Sequence, residues 1–157
     1  MKRANGRATI LFRITAVAFV LFAAGHTFGF LSFKAPTQEA QIVFQSMNSV
    51  HFEADGKIFS YGGWYRGFGL SATASMLFEA FFAWYLGGMA KKGAPEVKAL
   101  GWAFFLWQLP GVALAWIYFG VPPMVLSVLV AALIATATWL ATGDPTERMV
   151  AFPMGTG

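Results

Sequence analysis

Four apolar stretches, each long enough to cross a bilayer, constrain this 157-residue chain more than any other feature. A membrane-spanning helix needs about 20 predominantly apolar residues. Hydrophobic residues make up 57% of the chain and charged residues 11%, whereas a soluble domain carries about 25% charged residues. The composition therefore predicts an integral membrane protein with four transmembrane helices. The predicted spans are residues 8–31, 67–87, 99–119 and 121–142.

The connections between these spans predict how the helices are arranged. Gly120, Pro122 and Pro123 form a tight break between the third and fourth spans, and the sequence Gly-Asp-Pro at 143–145 ends the fourth. Short connections place consecutive helices side by side in opposite directions. We therefore expect an all-α integral membrane fold, an up-down four-transmembrane-helix bundle that forms a single membrane domain over residues 1–157.

Basic residues near the helix ends predict the orientation of the bundle. Residues 2–7 and 88–98 are rich in Lys and Arg, whereas the long connection at 33–65 mixes acidic with basic residues. Both termini are therefore predicted to be cytoplasmic, in a plasma membrane, with the long connection facing outward. The basic start could alternatively open a signal peptide cleaved before His26, but the apolar run continues to Phe33 and favours an uncleaved helix.

The outward connection is the largest water-exposed part of the predicted fold. Residues 36–53, PTQEAQIVFQSMNSVHFE, predict an amphipathic helix that either Thr37 caps or Pro36 opens, and that carries His51 on its flank. Such a helix would lie on the membrane or cover the end of the bundle. After it, Asp55-Gly56 predicts a turn and KIFSY predicts a short strand.

Ionisable side chains inside a membrane are costly, so each one raises a functional hypothesis. Glu79 shares a helix face with Gly67, Ser71 and Ser75, which precede it at intervals of four residues. This spacing predicts that Glu79 points into the bundle, as a structural carboxylate or as a group that exchanges protons. Arg13 could pair with Glu79, with Gln108 as a polar neighbour, or it could extend to the lipid headgroups.

The stretch FAAGHTFGF places His26 inside the first span, between Gly25 and Gly29. Two glycines four residues apart leave one helix face nearly flat, which a neighbouring helix or a planar ligand could approach closely. In a packing interpretation, His26 bonds a neighbouring helix and Thr27 bonds its own helix. In a functional interpretation, His26 meets His51, because the predicted topology puts both on the outer side.

The functional interpretation predicts a pocket for a lipophilic small molecule at the outer face. Tyr61, Tyr65 and Arg66 belong to the same outer region and would orient that molecule. His26 and His51 would transfer protons if the protein converts its ligand. The candidate catalytic residues are His26, His51 and Glu79, and the candidate ligand-binding residues are Tyr61, Tyr65, Arg66 and Gln108.

Two other functions fit the same residues. The chain could be a non-catalytic accessory subunit whose spans pack against other membrane subunits or a second copy of itself. It could also hold haem or a metal ion through His26 and His51, although two histidines define no ligand spacing and we assign no metal site. The net charge of +4 is explained by bases at the span ends, so no nucleic-acid partner is predicted.

Three pieces of the chain, AAGHTFGF, SVHFE and SYGGWYRGFGL, resemble those of a family of small bacterial four-span membrane proteins of unknown function. The resemblance covers the first half of the chain, to about Leu70. It implies the four-helix membrane architecture and a bacterial source, and it brings no activity. The candidate residues within it are His26, His51, Tyr61, Tyr65 and Arg66.

Overall fold

The computed structural model describes residues 2–141, most of which are helical. The expected helical architecture is confirmed, with one addition, a two-stranded antiparallel hairpin. The predicted end of the last span at 142 and its stop at 143–145 lie outside the described residues. The elements are α1 (Lys2–Leu31), α2 (Gln38–Ser49), β1 (His51–Ala54), β2 (Lys57–Ser60), α3 (Tyr61–Lys92), α4 (Val97–Tyr118) and α5 (Val121–Leu140).

Three of the described helices are long and apolar enough to cross a membrane. They are α1 from Asn5 onward, α4 and α5, with mean hydropathies of 2.0, 1.5 and 2.0. In α4 only 22% of the most apolar stretch is buried, and Trp107 and Trp116 are each 66% exposed. Contiguous apolar surface of this kind is unfavourable in water, and contact with lipid accounts for it.

The helix α3 is long enough to cross a membrane, but it is not among these three. It contains 32 residues, more than the roughly 20 that a span requires. Glu79 and many glycine, serine, tyrosine and tryptophan residues lower its hydropathy. Its length therefore permits the predicted second span, while its composition keeps it out of the three helices that are apolar enough to span.

The chain divides into two compact units, and α1 and α3 contribute residues to both. The first unit contains the chain up to Phe19 and again from Glu79 onward, and the second is Val20–Phe78. In the first unit, parts of α1, α3, α4 and α5 bury many alanines around Phe12, Phe19 and Leu86. Small side chains of this kind let helix backbones approach one another closely, as is typical of membrane helices.

The buried face of α3 differs from the predicted one. Gly67, Ser71 and Ser75 are exposed, whereas Ala80 and the alanines that follow it belong to the core of the first unit. A serine in a helix can satisfy its own hydroxyl, as Ser71 does by donating to the carbonyl of Phe68 at 2.8 Å. Serine therefore does not need an inward position, and alanine occupies the face that packs.

The helices α4 and α5 pack most closely where Gly101 meets Thr138. A Cβ atom at position 101 would overlap the Thr138 side chain. The turn that precedes α5 is the predicted break, since α5 begins at Val121 with proline in its first turn. Proline is favoured there because the first-turn N–H groups have no partner within the helix.

The outward connection begins with α2, as predicted. The Thr37 hydroxyl accepts a hydrogen bond from the N–H of Ala40 at 3.2 Å, which caps the helix. A hydrogen bond from its own backbone N–H, aided by the Thr37 hydroxyl, lowers the pKa of Glu39 in the first turn. The helix ends at Ser49, earlier than predicted.

His51 lies in strand β1, so its predicted place on the flank of α2 is wrong. The turn at Asp55 and Gly56 is confirmed, and both residues have positive φ angles, 52° and 71°, as a two-residue hairpin favours. The predicted strand in KIFSY is confirmed as β2, in which Ser60 pairs with His51 of β1. The strand β2 needs a hydrogen-bonded partner. The start of β1, which was predicted as the end of the helix at 36–53, supplies it.

The Gly101–Thr138 contact predicts a large difference between two glycines of α4. We expect Gly101→Ala to lower the free energy of unfolding by about 1–3 kcal/mol, because the added methyl overlaps Thr138. Gly111→Ala is the matched control, since a Cβ there meets nothing within 4 Å. Unfolding of the purified protein in mixed detergent micelles measures both.

A second substitution distinguishes this overlap from a general defect in α4. Thr138→Ala removes the overlapping hydroxyl and methyl, so it should recover most of the stability that Gly101→Ala loses. Equal stability of the Gly101 and Gly111 variants would contradict the close packing.

Candidate ligand-binding site

His26 joins α1 to α3 within the second unit. Its Nε2 atom lies 3.1 Å from the carbonyl oxygen of Gly69. A backbone carbonyl only accepts hydrogen bonds, so Nε2 carries the proton and donates it. The imidazole also stacks on Phe30, with ring centroids 5.8 Å apart and planes inclined by 7°. The packing interpretation of His26 therefore matches the structure.

The close approach of the two helices occurs at Gly69. A Cβ atom at Gly69 would overlap the ring of Phe30, so this ring lies directly on the α3 backbone. The sequence had indicated Gly25 and Gly29 for such an approach, but a Cβ at either position would meet nothing within 4 Å. His26 and Phe30, one turn apart on α1, fill the space between the helices, and the glycine that admits them belongs to α3.

A pair of threonines makes a second polar link between the same helices. Thr27 donates to the carbonyl of Ala23 at 2.8 Å, as the packing interpretation expects. Its oxygen also lies 2.8 Å from the hydroxyl oxygen of Thr73. The Thr73 hydroxyl also lies 3.4 Å from the carbonyl oxygen of Gly69, so each hydroxyl has a backbone carbonyl and the other hydroxyl as partners, and either threonine can donate to the other. Both hydroxyl groups are therefore satisfied without water.

A pocket of about 320 Å³ opens where α1, α2 and α3 meet in the second unit. This volume is at the lower end of the range for small-molecule sites. Tyr65 and Arg66 of the predicted ligand-binding residues line it. Its lining residues are Phe30, Leu31, Phe33, Phe44, Met47, Asn48, Gly62, Tyr65 and Arg66.

A continuous series of aromatic contacts forms one wall of this pocket and extends to His26. Phe33 contacts Phe44 at 5.5 Å between ring centroids, and Phe44 meets the edge of Tyr65 at 6.2 Å. Tyr65 contacts Phe30 at 5.2 Å, and Phe30 stacks on His26. His26 does not line the pocket, but its two contacts hold the Phe30 ring that does.

Asn48 and Gly62 close the pocket on the side of α2. The Nδ2 of Asn48 donates to the carbonyl of Phe44 at 2.9 Å, which orients the amide. A Cβ atom at Gly62 would overlap the amide oxygen of Asn48. Glycine at position 62 therefore lets α2 sit directly on the first turn of α3.

Arg66 supplies the positive charge of the pocket. Its side chain is exposed, and no carboxylate within residues 2–141 forms an ion pair with it. The guanidinium group carries five N–H donors in a planar fork that matches a carboxylate or a phosphate. Aromatic walls combined with one unpaired guanidinium group suit a ligand that is mostly apolar and carries an anionic or strongly polar group.

His51 and Tyr61 lie among the hairpin and the start of α3, and neither lines the pocket. His51 is exposed, and its Nδ1 lies 2.7 Å from the carbonyl oxygen of Ser49, so Nδ1 carries the proton. Tyr61 packs on Phe52 with ring centroids 4.8 Å apart. Each histidine therefore hydrogen-bonds a backbone carbonyl. Over the part of the chain that the structure describes, no three His, Asp or Glu residues are grouped to hold a metal ion.

Glu79 and Gln108 lie in the first unit. Glu79 is half-buried and accepts a hydrogen bond from the indole N–H of Trp107 at 2.8 Å. Gln108 is buried and interacts with the Glu79 carboxyl group, as expected of a polar neighbour, although its Nε2 atom makes no hydrogen bond of good geometry among the described residues. The expected pairing of Arg13 with Glu79 is not observed, since the Arg13 guanidinium lies over the Trp84 ring at 4.7 Å instead. An exposed cation on a tryptophan face needs no carboxylate partner.

Sequence reasoning missed most of the residues that build the pocket. Phe30, Phe33 and Phe44 belong to an unusually aromatic chain with 17 phenylalanines, so none stood out. Met47 and Asn48 lie on α2, and the sequence does not show which face of α2 packs against α1 and α3. The helical spacing of Phe44 and Met47, which share one face, is the signal that could have indicated them.

The two histidines are expected to differ in their contribution to stability. His26→Ala removes a hydrogen bond and a ring contact between helices and should lower the free energy of unfolding by about 1–2 kcal/mol. His51→Ala changes an exposed residue and should alter it by less than about 0.5 kcal/mol. Unfolding in mixed micelles compares the two variants, and an equal effect of both would contradict the structural role of His26.

No protein-family model, curated protein or solved structure matches this chain. The resemblance of its first half to small bacterial four-span proteins therefore stays a prediction. What the pocket does must be inferred from its own residues.

Proposed function

We propose that this chain is a small membrane protein that binds a lipid-soluble molecule in the pocket beside Arg66. The pocket itself carries this proposal, because it combines an aromatic wall with a guanidinium group that lacks an ion-pair partner within residues 2–141. The apolar part of the ligand contacts Phe30, Phe33 and Phe44. Its polar group is held by Arg66, with Tyr65 beside it.

The proposed topology has four spans in an up-down bundle, with α3 as the second span. The length of α3 supports this, and so does the hydrogen bond that Trp107 gives to Glu79, which lowers the cost of placing that carboxyl group in a bilayer. Lys91 and Lys92 in its last turn favour a cytoplasmic end there. Both termini then lie in the cytoplasm of a bacterial cell, and the pocket opens at the outer face of the plasma membrane.

Binding is favoured over chemical conversion. Of the proposed catalytic residues His26, His51 and Glu79, none lines the pocket. His26 acts by holding Phe30, which makes it a positioning residue. If the protein does convert its ligand, proton transfer remains the chemistry that these residue types supply.

An accessory subunit of a larger membrane complex is the second candidate. The large exposed aromatic side chains of α4 and α5, such as Trp116 and Trp139, favour it, because partner helices could cover them as well as lipid. A haem or metal ion shared by His26 and His51 is the third. A carbonyl bond through one ring nitrogen is compatible with a metal on the other, but His26 packs against Phe30 between two helices whereas His51 lies exposed on the hairpin.

Filling the pocket tests the proposed function. Met47 lines the pocket, and Val43, one turn away on α2, is exposed and does not line it. We expect a small molecule to copurify with the wild-type protein and with Val43→Trp. The amount bound per protein should be at least about tenfold lower in Met47→Trp, because the indole occupies the space of the ligand. Mass spectrometry of protein released from nanodiscs measures this occupancy.

The same spectra separate the candidates. A wild-type protein that carries no small molecule, or a Met47→Trp variant that carries as much as the wild type, would contradict the proposal. Recovery of the chain only within a large assembly would favour the accessory subunit instead.

A further inference from the structure

A second cavity in the same unit adjoins the pocket. It is an open groove of about 660 Å³ that runs along α1 and α3. Leu31 lines both the groove and the pocket. The pocket that Arg66 lines and the groove therefore adjoin at Leu31.

The groove is suited to an unbranched alkyl chain. Its lining is almost entirely apolar, with Val20, Ala24, Phe28 and Leu77 among the residues. The polar atoms in it are already satisfied, because the Thr27 and Thr73 hydroxyl groups bond each other and a backbone carbonyl. A groove without unsatisfied polar atoms gains nothing from a polar ligand, whereas a hydrocarbon chain fits it without loss.

The pocket end has the opposite chemistry. Arg66 offers a planar fork of donors and has no carboxylate partner within the described chain. A single carboxylate matches one guanidinium group in charge and in geometry, through two parallel hydrogen bonds. The charge of the pocket and the apolar character of the groove together define an amphiphile with one anionic end and one chain.

We propose that the ligand is a long-chain carboxylate, a fatty-acid-type amphiphile whose carboxylate binds Arg66 and whose chain passes Leu31 into the groove. This inference rests on the proposed function, since it assigns the chemical class of the ligand that the pocket holds. The groove is open along α1 and α3, so the chain enters sideways from the surrounding lipid. Phosphate-headed lipids are the competing ligands, and the experiment includes them.

Two photoreactive hexadecanoates test where the two ends of the ligand lie. One carries a diazirine next to the carboxylate and the other carries it at mid-chain, and both are added to the protein in phosphatidylcholine nanodiscs. The first should label the pocket at Phe44 or Met47, and the second should label the groove at Thr27 or Phe28. Excess hexadecanoate should abolish both, whereas uncharged hexadecanol should compete at least about tenfold more weakly. Lysophosphatidic acid should also compete more weakly than hexadecanoate, because its glycerophosphate head is larger than a carboxylate and the pocket holds only about 320 Å³.

Three variants test the role of each part. Arg66→Gln keeps a polar side chain but removes the charge and the fork of donors, and should weaken competition by hexadecanoate about tenfold to a hundredfold. Ala24→Trp should abolish mid-chain labelling by filling the groove. Leu21→Trp is its matched control, because Leu21 is 67% exposed on α1 and does not line the groove.

Three outcomes would overturn the inference. Groove labelling that excess hexadecanoate does not reduce would show bulk lipid contact only. Equal competition by hexadecanol would remove the role of charge, and stronger competition by lysophosphatidic acid would assign the site to phosphate. In each case, loss of a copurified molecule in Met47→Trp would still uphold the proposed function, so the two failures are distinguishable.

Discussion

The hydrogen bond from His26 to the carbonyl of Gly69 is the contact on which the candidate site depends. It joins α1 to α3 in the second unit, and it is possible because glycine at 69 leaves room for the Phe30 ring on the α3 backbone. Phe30 is in turn a wall of the pocket and the neighbour of Tyr65. A histidine in an apolar helix therefore shapes the pocket without lining it.

Most polar side chains in the long helices have a hydrogen-bond partner within the protein. The hydroxyl groups of Thr15 and Thr136 each donate to the backbone carbonyl one turn earlier. Glu79 accepts a hydrogen bond from the indole N–H of Trp107. Where lipid replaces water, an unsatisfied group costs several kcal/mol. Arg66 is different because it is exposed and has no ion-pair partner within residues 2–141. This cation beside an aromatic wall is the basis of the ligand selectivity that we propose for the pocket.

The helices could be predicted from the sequence because bilayer length and apolar composition act along the chain. The Thr37 cap and the Asp55-Gly56 turn could also be predicted, since each depends on residues close in sequence. His51 was misplaced because a strand depends on its partner as well as on its own residues. The inner face of α3 was misplaced because serines can bond their own helix, so they do not mark a packing face.

The candidate site could be predicted only in part, because its walls come from three separate elements. Tyr65 and Arg66 were found because charged and phenolic groups beside an apolar span are uncommon. Phe30 and Gly62 were not, because their roles come from contacts with residues far away in the chain. Predicting them requires knowing how α1, α2 and α3 meet, which composition and periodicity do not contain.

The imidazole nitrogen chemical shifts of isotopically labelled protein in nanodiscs test the central contact most directly. The chain has two histidines, so a His51→Ala variant leaves His26 as the single signal. The hydrogen bond to Gly69 predicts that Nε2 carries a proton and that this proton exchanges slowly with water. An Nε2 atom without a proton, or exchange as fast as that of an exposed histidine, would contradict the His26–Gly69 contact and the pocket that depends on it.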